Sequence, residues 1–200
     1  MWPIPVAELR EYAIWGGVPR YWELRRDYPD KETAIRKVLL DPQGPLIEEP
    51  QRLLRDDMRD TVQASTLLTI IGNGANKLSE IANRAGKDSS TISEPLSKLR
   101  ELGYVSREVP FGESPKKSKK GIYHINDSLL RFHYQFIVPY RSILELGRMD
   151  MVMQVVLAQL PQFIGQCWEL LRPVWLKLRN RKGRSSWELL GFQPVAIIQF

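Results

Sequence analysis

Apolar positions recur every three or four residues in three short, closely spaced runs in the middle of the chain, the spacing that puts side chains on one face of a helix. Leu67, Leu68, Ile70 and Ile71 predict a helix over 61–71, closed by Gly72-Asn73-Gly74, residues that tolerate the left-handed conformation at a helix end. Leu78, Ile81 and Ala82 predict a short second helix over 77–84 that Gly86 stops. Ile92, Leu96 and Leu99 predict a third over 91–102, opened by the capping cluster Asp88-Ser89-Ser90 and ended by Gly103. Beyond it the period changes to alternation. Residues 104–109 and 121–125 read as two strands joined by the polar, turn-forming stretch 110–120. Three short helices with tight turns, followed by a hairpin, make a winged helix-turn-helix.

The flanks read as helical. Upstream the chain divides at its prolines and glycines into helices over 6–13, 20–26 and 31–39, with the turn Trp15-Gly16-Gly17-Val18-Pro19 between the first two. Asp41-Pro42-Gln43-Gly44-Pro45 breaks the third, because proline removes a backbone donor and disfavours helix in the residue before it, and marks a linker. Residues 46–55 mix apolar and charged side chains and read as an extended or irregular approach to the winged helix. Downstream, Asn126-Asp127-Ser128 caps an aromatic-rich helix over 129–138, followed by helices over 141–146 and 151–160 and a segment that starts at Pro161. The expected fold is mainly α with a small β-hairpin: a winged helix-turn-helix core over 46–126, flanked by helical segments over 1–45 and 127–200.

Composition narrows the function only a little. Two hundred residues at 43% hydrophobic content suffice for one or two small cores. Lys and Arg total 29 against 23 for Asp and Glu, and the net charge of +6 permits contact with nucleic acid without requiring it. Cys167 is the single cysteine, so neither an internal disulfide nor a cysteine-based metal cluster can form, and a reduced cytoplasm is the simpler compartment. The start has no basic and apolar leader, and no run approaches the roughly 18 apolar residues of a membrane span. The chain reads as soluble, with no membrane partner.

In a helix-turn-helix the second helix of the pair enters the major groove, and its N-terminal half needs small hydrogen-bonding side chains. Here those are Ser89, Ser90, Thr91 and Ser93, while Lys98 and Arg100 lie further along and suit the phosphate backbone. Lys116, Lys117, Lys119 and Lys120 fall within five residues of the hairpin loop, a charge density that favours phosphate through counterion release. DNA is therefore the expected partner. The competing reading is a protein-interaction module with a solvated lysine loop, in which Ser89 only caps its helix. Phe132, Tyr134 and Phe136, and Trp2, Trp15 and Trp22, read as core or as an interface with a further domain rather than as base-stacking platforms. His124 and His133 have no carboxylate or cysteine at ligand spacing, so no metal site is expected, and no Gly-x-Ser-x-Gly elbow points to catalysis.

One family shares this order of features. Tyr12-Ala13-Ile14-Trp15-Gly16-Gly17-Val18-Pro19-Arg20-Tyr21 carries a Gly-Gly-x-Pro turn. Leu78-Ser79-Glu80-Ile81-Ala82, Ser90-Thr91-Ile92-Ser93 and Val105 to Pro110 follow, then Lys116-Lys117-Ser118-Lys119-Lys120-Gly121-Ile122-Tyr123, with Asp127, Arg131, Phe132 and Tyr134 after it. Over roughly residues 10–147 the chain resembles the C-terminal part of archaeal and bacterial P-loop ATPases of the AAA-related, DEXX-box type. The resemblance implies a lid-like segment of the ATPase module over 1–45, with Arg20 on the nucleotide side of the lid. It also implies a winged helix, then an incomplete α/β segment of a truncated, restriction-nuclease-like domain. ATP and Mg are implied for the full-length protein and no cofactor for this chain, whose partner would be a P-loop ATPase domain. Gly72-Asn73-Gly74-Ala75-Asn76-Lys77 lacks the Gly-Lys-[Ser/Thr] of a phosphate loop, so no ATP hydrolysis is expected from the chain alone. Of the family's nuclease carboxylates only Glu169 has a counterpart, and a lone carboxylate on a helix is a surface residue rather than a metal site, so no catalytic residue is assigned. The stretch from Pro173 to Phe200 matches nothing in the family, and its apolar terminus reads as truncation or a shifted frame.

Overall fold

In the computed structural model, which describes residues 6–110, 112–114, 118 and 120–179, the middle of the chain folds as its periodicity predicts. Helix α5 (Thr61–Gly72) starts at Asp60, whose side chain accepts the Gln63 N–H at 2.9 Å. Helix α6 (Leu78–Ala85) ends at Gly86, which takes φ +62°, a left-handed conformation that costs glycine nothing. Helix α7 (Ser89–Glu101) begins after Asp88, whose extended backbone sits at the cap position without a side-chain bond to the helix. Strands β1 (Val105–Glu108) and β2 (Ile122–Ile125) pair antiparallel, with Val105 opposite Ile125 and Glu108 opposite Ile122. The segment before α6 joins this ribbon: Tyr123 N–H donates to the Asn76 carbonyl at 2.8 Å, and Lys77 bridges Ile122. The apolar stripes of these elements, among them Leu67, Leu68, Ile81, Ile92, Leu96, Leu99 and Val105, form one buried core.

A helix that periodicity does not show precedes them. Residues 49–57, which begin inside the stretch 46–55 expected to be extended or irregular and run two residues past it, form α4 (Glu49–Asp57). Pro50 sits in its first turn, where its missing N–H and fixed φ suit a helix start, and Leu54 buries into the winged-helix core.

A second core lies outside the winged helix, and both flanks build it. Helices α1 (Val6–Trp15), α2 (Pro19–Arg26) and α3 (Lys31–Ala34) come first. The helix of α3 continues over Ile35–Leu40 with wider, π-type winding, seen in the Asp41 N–H bond back to the Arg36 carbonyl at 2.8 Å. Gly44 then turns the chain against this segment so closely that a Cβ there would meet the carbonyl oxygens of Val38, Asp41 and Lys37 at 2.8–2.9 Å. After the hairpin, α8 (Ser128–Phe132) is capped by the Asp127 carboxylate on Leu130 N–H at 2.8 Å. It widens into a second π-type segment over His133–Ile137, then tightens into one 3-10 turn over Val138–Tyr140, where Pro139 has no N–H to continue the ladder. Helix α9 (Arg141–Glu145) leads to α10 (Met149–Arg179). Helix α1 packs on α8 and α10, and α10 on the continuation of α3. Trp15, Ile35, Leu39, Phe132, Phe136 and Phe163 fill the core between them.

Helix α10 corrects the expected end at residue 160. It passes through Pro161 to Arg179, where a segment of another kind was expected to begin. Leu157, whose carbonyl Pro161 cannot bond, is exposed, as is Pro161, so the freed carbonyl faces water rather than the core. The expected α/β segment is helix as far as Arg179. Residues 180–200 lie outside the described residues. No helix among the described residues is long and apolar enough to cross a membrane.

Candidate nucleic-acid interface

Helix α7 turns Ile92, Leu96 and Leu99 into the core and its other side outward. Ser90, Thr91, Ser93, Lys98 and Arg100 are exposed and Ser89 is half-buried, so the hydroxyl cluster of the first turns reaches solvent. The Ser93 hydroxyl donates to the Ser89 carbonyl at 2.5 Å, which occupies its proton and leaves its lone pairs as acceptors. Pro95 has no N–H to bond the carbonyl of Thr91, one turn earlier. Thr91 also lines a groove of about 450 Å³ with Ala82, Asn83, Gly86, Lys87 and Asp88, at the turn between α6 and α7.

Charge on this helix is balanced. Lys98 lies 3.8 Å from Glu101, and Arg100 and Glu94 bring the helix to two charges of each sign. Any net attraction to a polyanion must therefore come from beside the helix. Lys87, exposed in the turn ahead of α7, is one such source, and the lysine-rich hairpin loop is another by its sequence. The turn position of Lys87 could have been found from the Gly86-Lys87-Asp88 spacing ahead of the helix.

In the loop, Lys116, Lys117 and Lys119 lie outside the described residues. Lys120 is exposed, with its ammonium 2.8 Å from Glu113, which also accepts the Ser118 hydroxyl at 2.5 Å. These bonds hold the Glu113 carboxyl below its usual range and raise Lys120, so the lysine stays charged. Arg107 braces the root of the hairpin. It donates to the Ser118 carbonyl at 2.5 Å, lies 5.9 Å from the Tyr123 ring centre, and covers Gly121 so closely that a Cβ there would run into its guanidinium.

The other candidates lie elsewhere. Arg20 sits on α2, exposed and paired with Glu23 at 3.0 Å, next to the Gly-Gly-x-Pro turn. Gly16 in that turn takes φ +67°, its carbonyl accepts Trp22 Nε1–H at 2.9 Å, and a Cβ on it would lie 3.5 Å from the Asp127 carboxylate. The turn thus packs on the start of α8. Phe132, Tyr134 and Phe136 are fully buried; Phe132 and Phe136 pack on Phe163, with ring centres 5.8 and 5.4 Å from it, and cannot stack on bases. Trp15 is fully buried and Trp22 half-buried, and Trp2 lies outside the described residues. His124 is half-buried in β2, where desolvation lowers its pKa. Glu169 is exposed on α10. Among the described residues no group of three or more His, Cys, Asp or Glu could hold a metal ion.

Residues 65–107 match the family model described as "Bacterial regulatory protein, arsR family", a helix-turn-helix whose span here runs from α5 to β1. An uncharacterized protein of Methanocaldococcus jannaschii is 28% identical over 205 residues, which cover 94% of this chain and 45% of the relative. The chain therefore spans about half the length of the curated relative it matches. No solved structure matches the chain at a significant level.

Proposed function

We propose that this protein binds double-stranded DNA, with α7 in the major groove and the lysine-rich hairpin loop on the phosphate backbone. The observation that carries the reading is the outward side of α7: Ser90, Thr91 and Ser93 are exposed on a helix whose opposite side is the core of an arsR-like helix-turn-helix. The hydroxyls supply donors and acceptors for base edges and phosphates. Lys98 and Arg100 border the groove, and Lys116, Lys117, Lys119 and Lys120 neutralise phosphate.

The balanced charge of α7 favours a second reading, in which the same face docks on a protein. Titration of a labelled duplex at two ionic strengths separates them. Phosphate contact gives a steep salt slope, and replacing the four loop lysines with alanine should flatten it by about one unit for each phosphate that is no longer neutralised. A flat slope in the parent protein, or an unchanged slope in the variant, would take the loop out of the mechanism.

The wider part of the proposal is that the chain works as the C-terminal portion of a P-loop ATPase. Its support is the resemblance, in which the Gly-Gly-x-Pro turn and Asp127 both figure, and the packing of those two segments on each other. On this reading Arg20 exchanges Glu23 for a nucleotide phosphate supplied by the ATPase domain. Co-purification with a recombinant P-loop domain, with and without ATP and Mg, tests it: loss of the complex on Arg20→Ala supports the lid role, and no complex under either condition rejects it.

A further inference from the structure

We infer that Glu94 is the specificity-determining residue of α7 and that its carboxylate reads the exocyclic amino group of a cytosine in the DNA site. The inference rests on the DNA reading above and adds the base that the helix selects. At 3.6 residues per turn, each residue advances about 100° around the helix. Ile92, Leu96 and Leu99 cluster around one direction, and the ridge opposite them carries Ser90, Glu94 and Glu101. The outermost line of the reading helix is thus hydroxyl and carboxylate, while Lys98 and Arg100 fall to its sides.

Glu94 is exposed and makes no ion pair among the described residues. Lys98, one turn further on and suitably spaced to pair with it, lies 3.8 Å from Glu101. An ionised carboxylate only accepts hydrogen bonds, and phosphate oxygens offer none to accept. In the groove Glu94 is therefore repelled unless it meets a donor. Donors on the major-groove edges are the amino groups of cytosine and adenine. Adenine sets the N7 lone pair beside its amine, and guanine presents two acceptors; cytosine offers its amine without an acceptor on its own edge, which suits a carboxylate.

The test selects binding sites from a pool of random duplexes with the parent protein, Glu94→Ala and Glu94→Gln. Both substitutions are at an exposed position, and circular dichroism checks that each variant keeps the parent's fold. The parent should enrich sites with one strongly preferred cytosine, discriminated by about tenfold or more. Glu94→Ala should lose that preference, and Glu94→Gln should move it to adenine, whose amine and N7 match a carboxamide. The same cytosine preference in both variants overturns the role of Glu94 and leaves DNA binding standing, as does a parent that binds DNA without enriching any base. A parent that binds no duplex overturns both.

Discussion

Among the described residues burial leaves several polar side-chain atoms without a hydrogen-bond partner, and both ring nitrogens of His133 are among them. His133 is fully buried in the widened segment after α8. Desolvation, with the Arg141 charge adding to it, pushes its pKa down to about 3 from an ordinary value near 6.5. The folded chain thus keeps His133 neutral where the unfolded chain would protonate it. Its contribution is fully present above about pH 6.5 and is lost as pH falls through the window towards 3, at up to about 1.4 kcal/mol per pH unit. Urea unfolding at pH 7 and pH 5 measures this. His133→Leu should shrink the difference between the two midpoints, and an equal difference in the variant would move the acid sensitivity to other groups. Asp127, raised by burial, works in the opposite direction, because a raised carboxyl loses stability as pH increases.

Single elements differ in how much of their structure their own residues determine. Helices α5 to α7 and the hairpin are legible in the sequence because each is closed locally, by a glycine after the helix or by a switch to alternation, and each buries a stripe its own spacing defines. The outward hydroxyls of α7 follow from the same spacing, but the pairing of Lys98 with Glu101 does not, since Glu94 stands one turn before Lys98 at a spacing that suits a pair equally well. Helix α4 is hidden because only Leu54 and its neighbours touch the core, so the apolar signal is a single turn long. Helix α10 outruns its sequence pattern at Pro161, a residue that ends helices when its freed carbonyl is buried and interrupts them only mildly when, as here, that side faces solvent. A proline inside a helix costs up to about 3 kcal/mol relative to alanine. Pro161→Ala should accordingly raise stability by about 1–3 kcal/mol, seen as a higher urea midpoint with an unchanged slope. Destabilisation instead would mean that a bend at Pro161 is what seats Leu160 and Phe163 in the core.

Across the whole molecule the two cores are threaded through one another. The core containing Trp15 and Leu39 also takes Phe132, Phe136 and Phe163, so the chain leaves this bundle to form the winged helix and returns to complete it. The return is shared: Leu130 and Tyr134, on the same stretch as Phe132 and Phe136, belong to the winged-helix core. Tyr134 also receives the end of α5, where Asn73 donates to its carbonyl at 3.2 Å and Gly72 would place a Cβ 3.3 Å from its own Cβ. The alternate faces of residues 129–137 therefore serve both cores, a coupling that no local period announces because each face looks like ordinary helix. A fragment of residues 46–126 would keep the three helices and the hairpin but lose Leu130 and Tyr134, whereas residues 46–140 would retain them. Removing a large buried aromatic costs about 3–5 kcal/mol. The shorter fragment should consequently melt at a clearly lower temperature than the longer one, or fail to fold, by circular dichroism. Equal melting temperatures would show that the winged helix closes its core without the returning stretch of chain, and that residues 129–137 stabilise only the bundle.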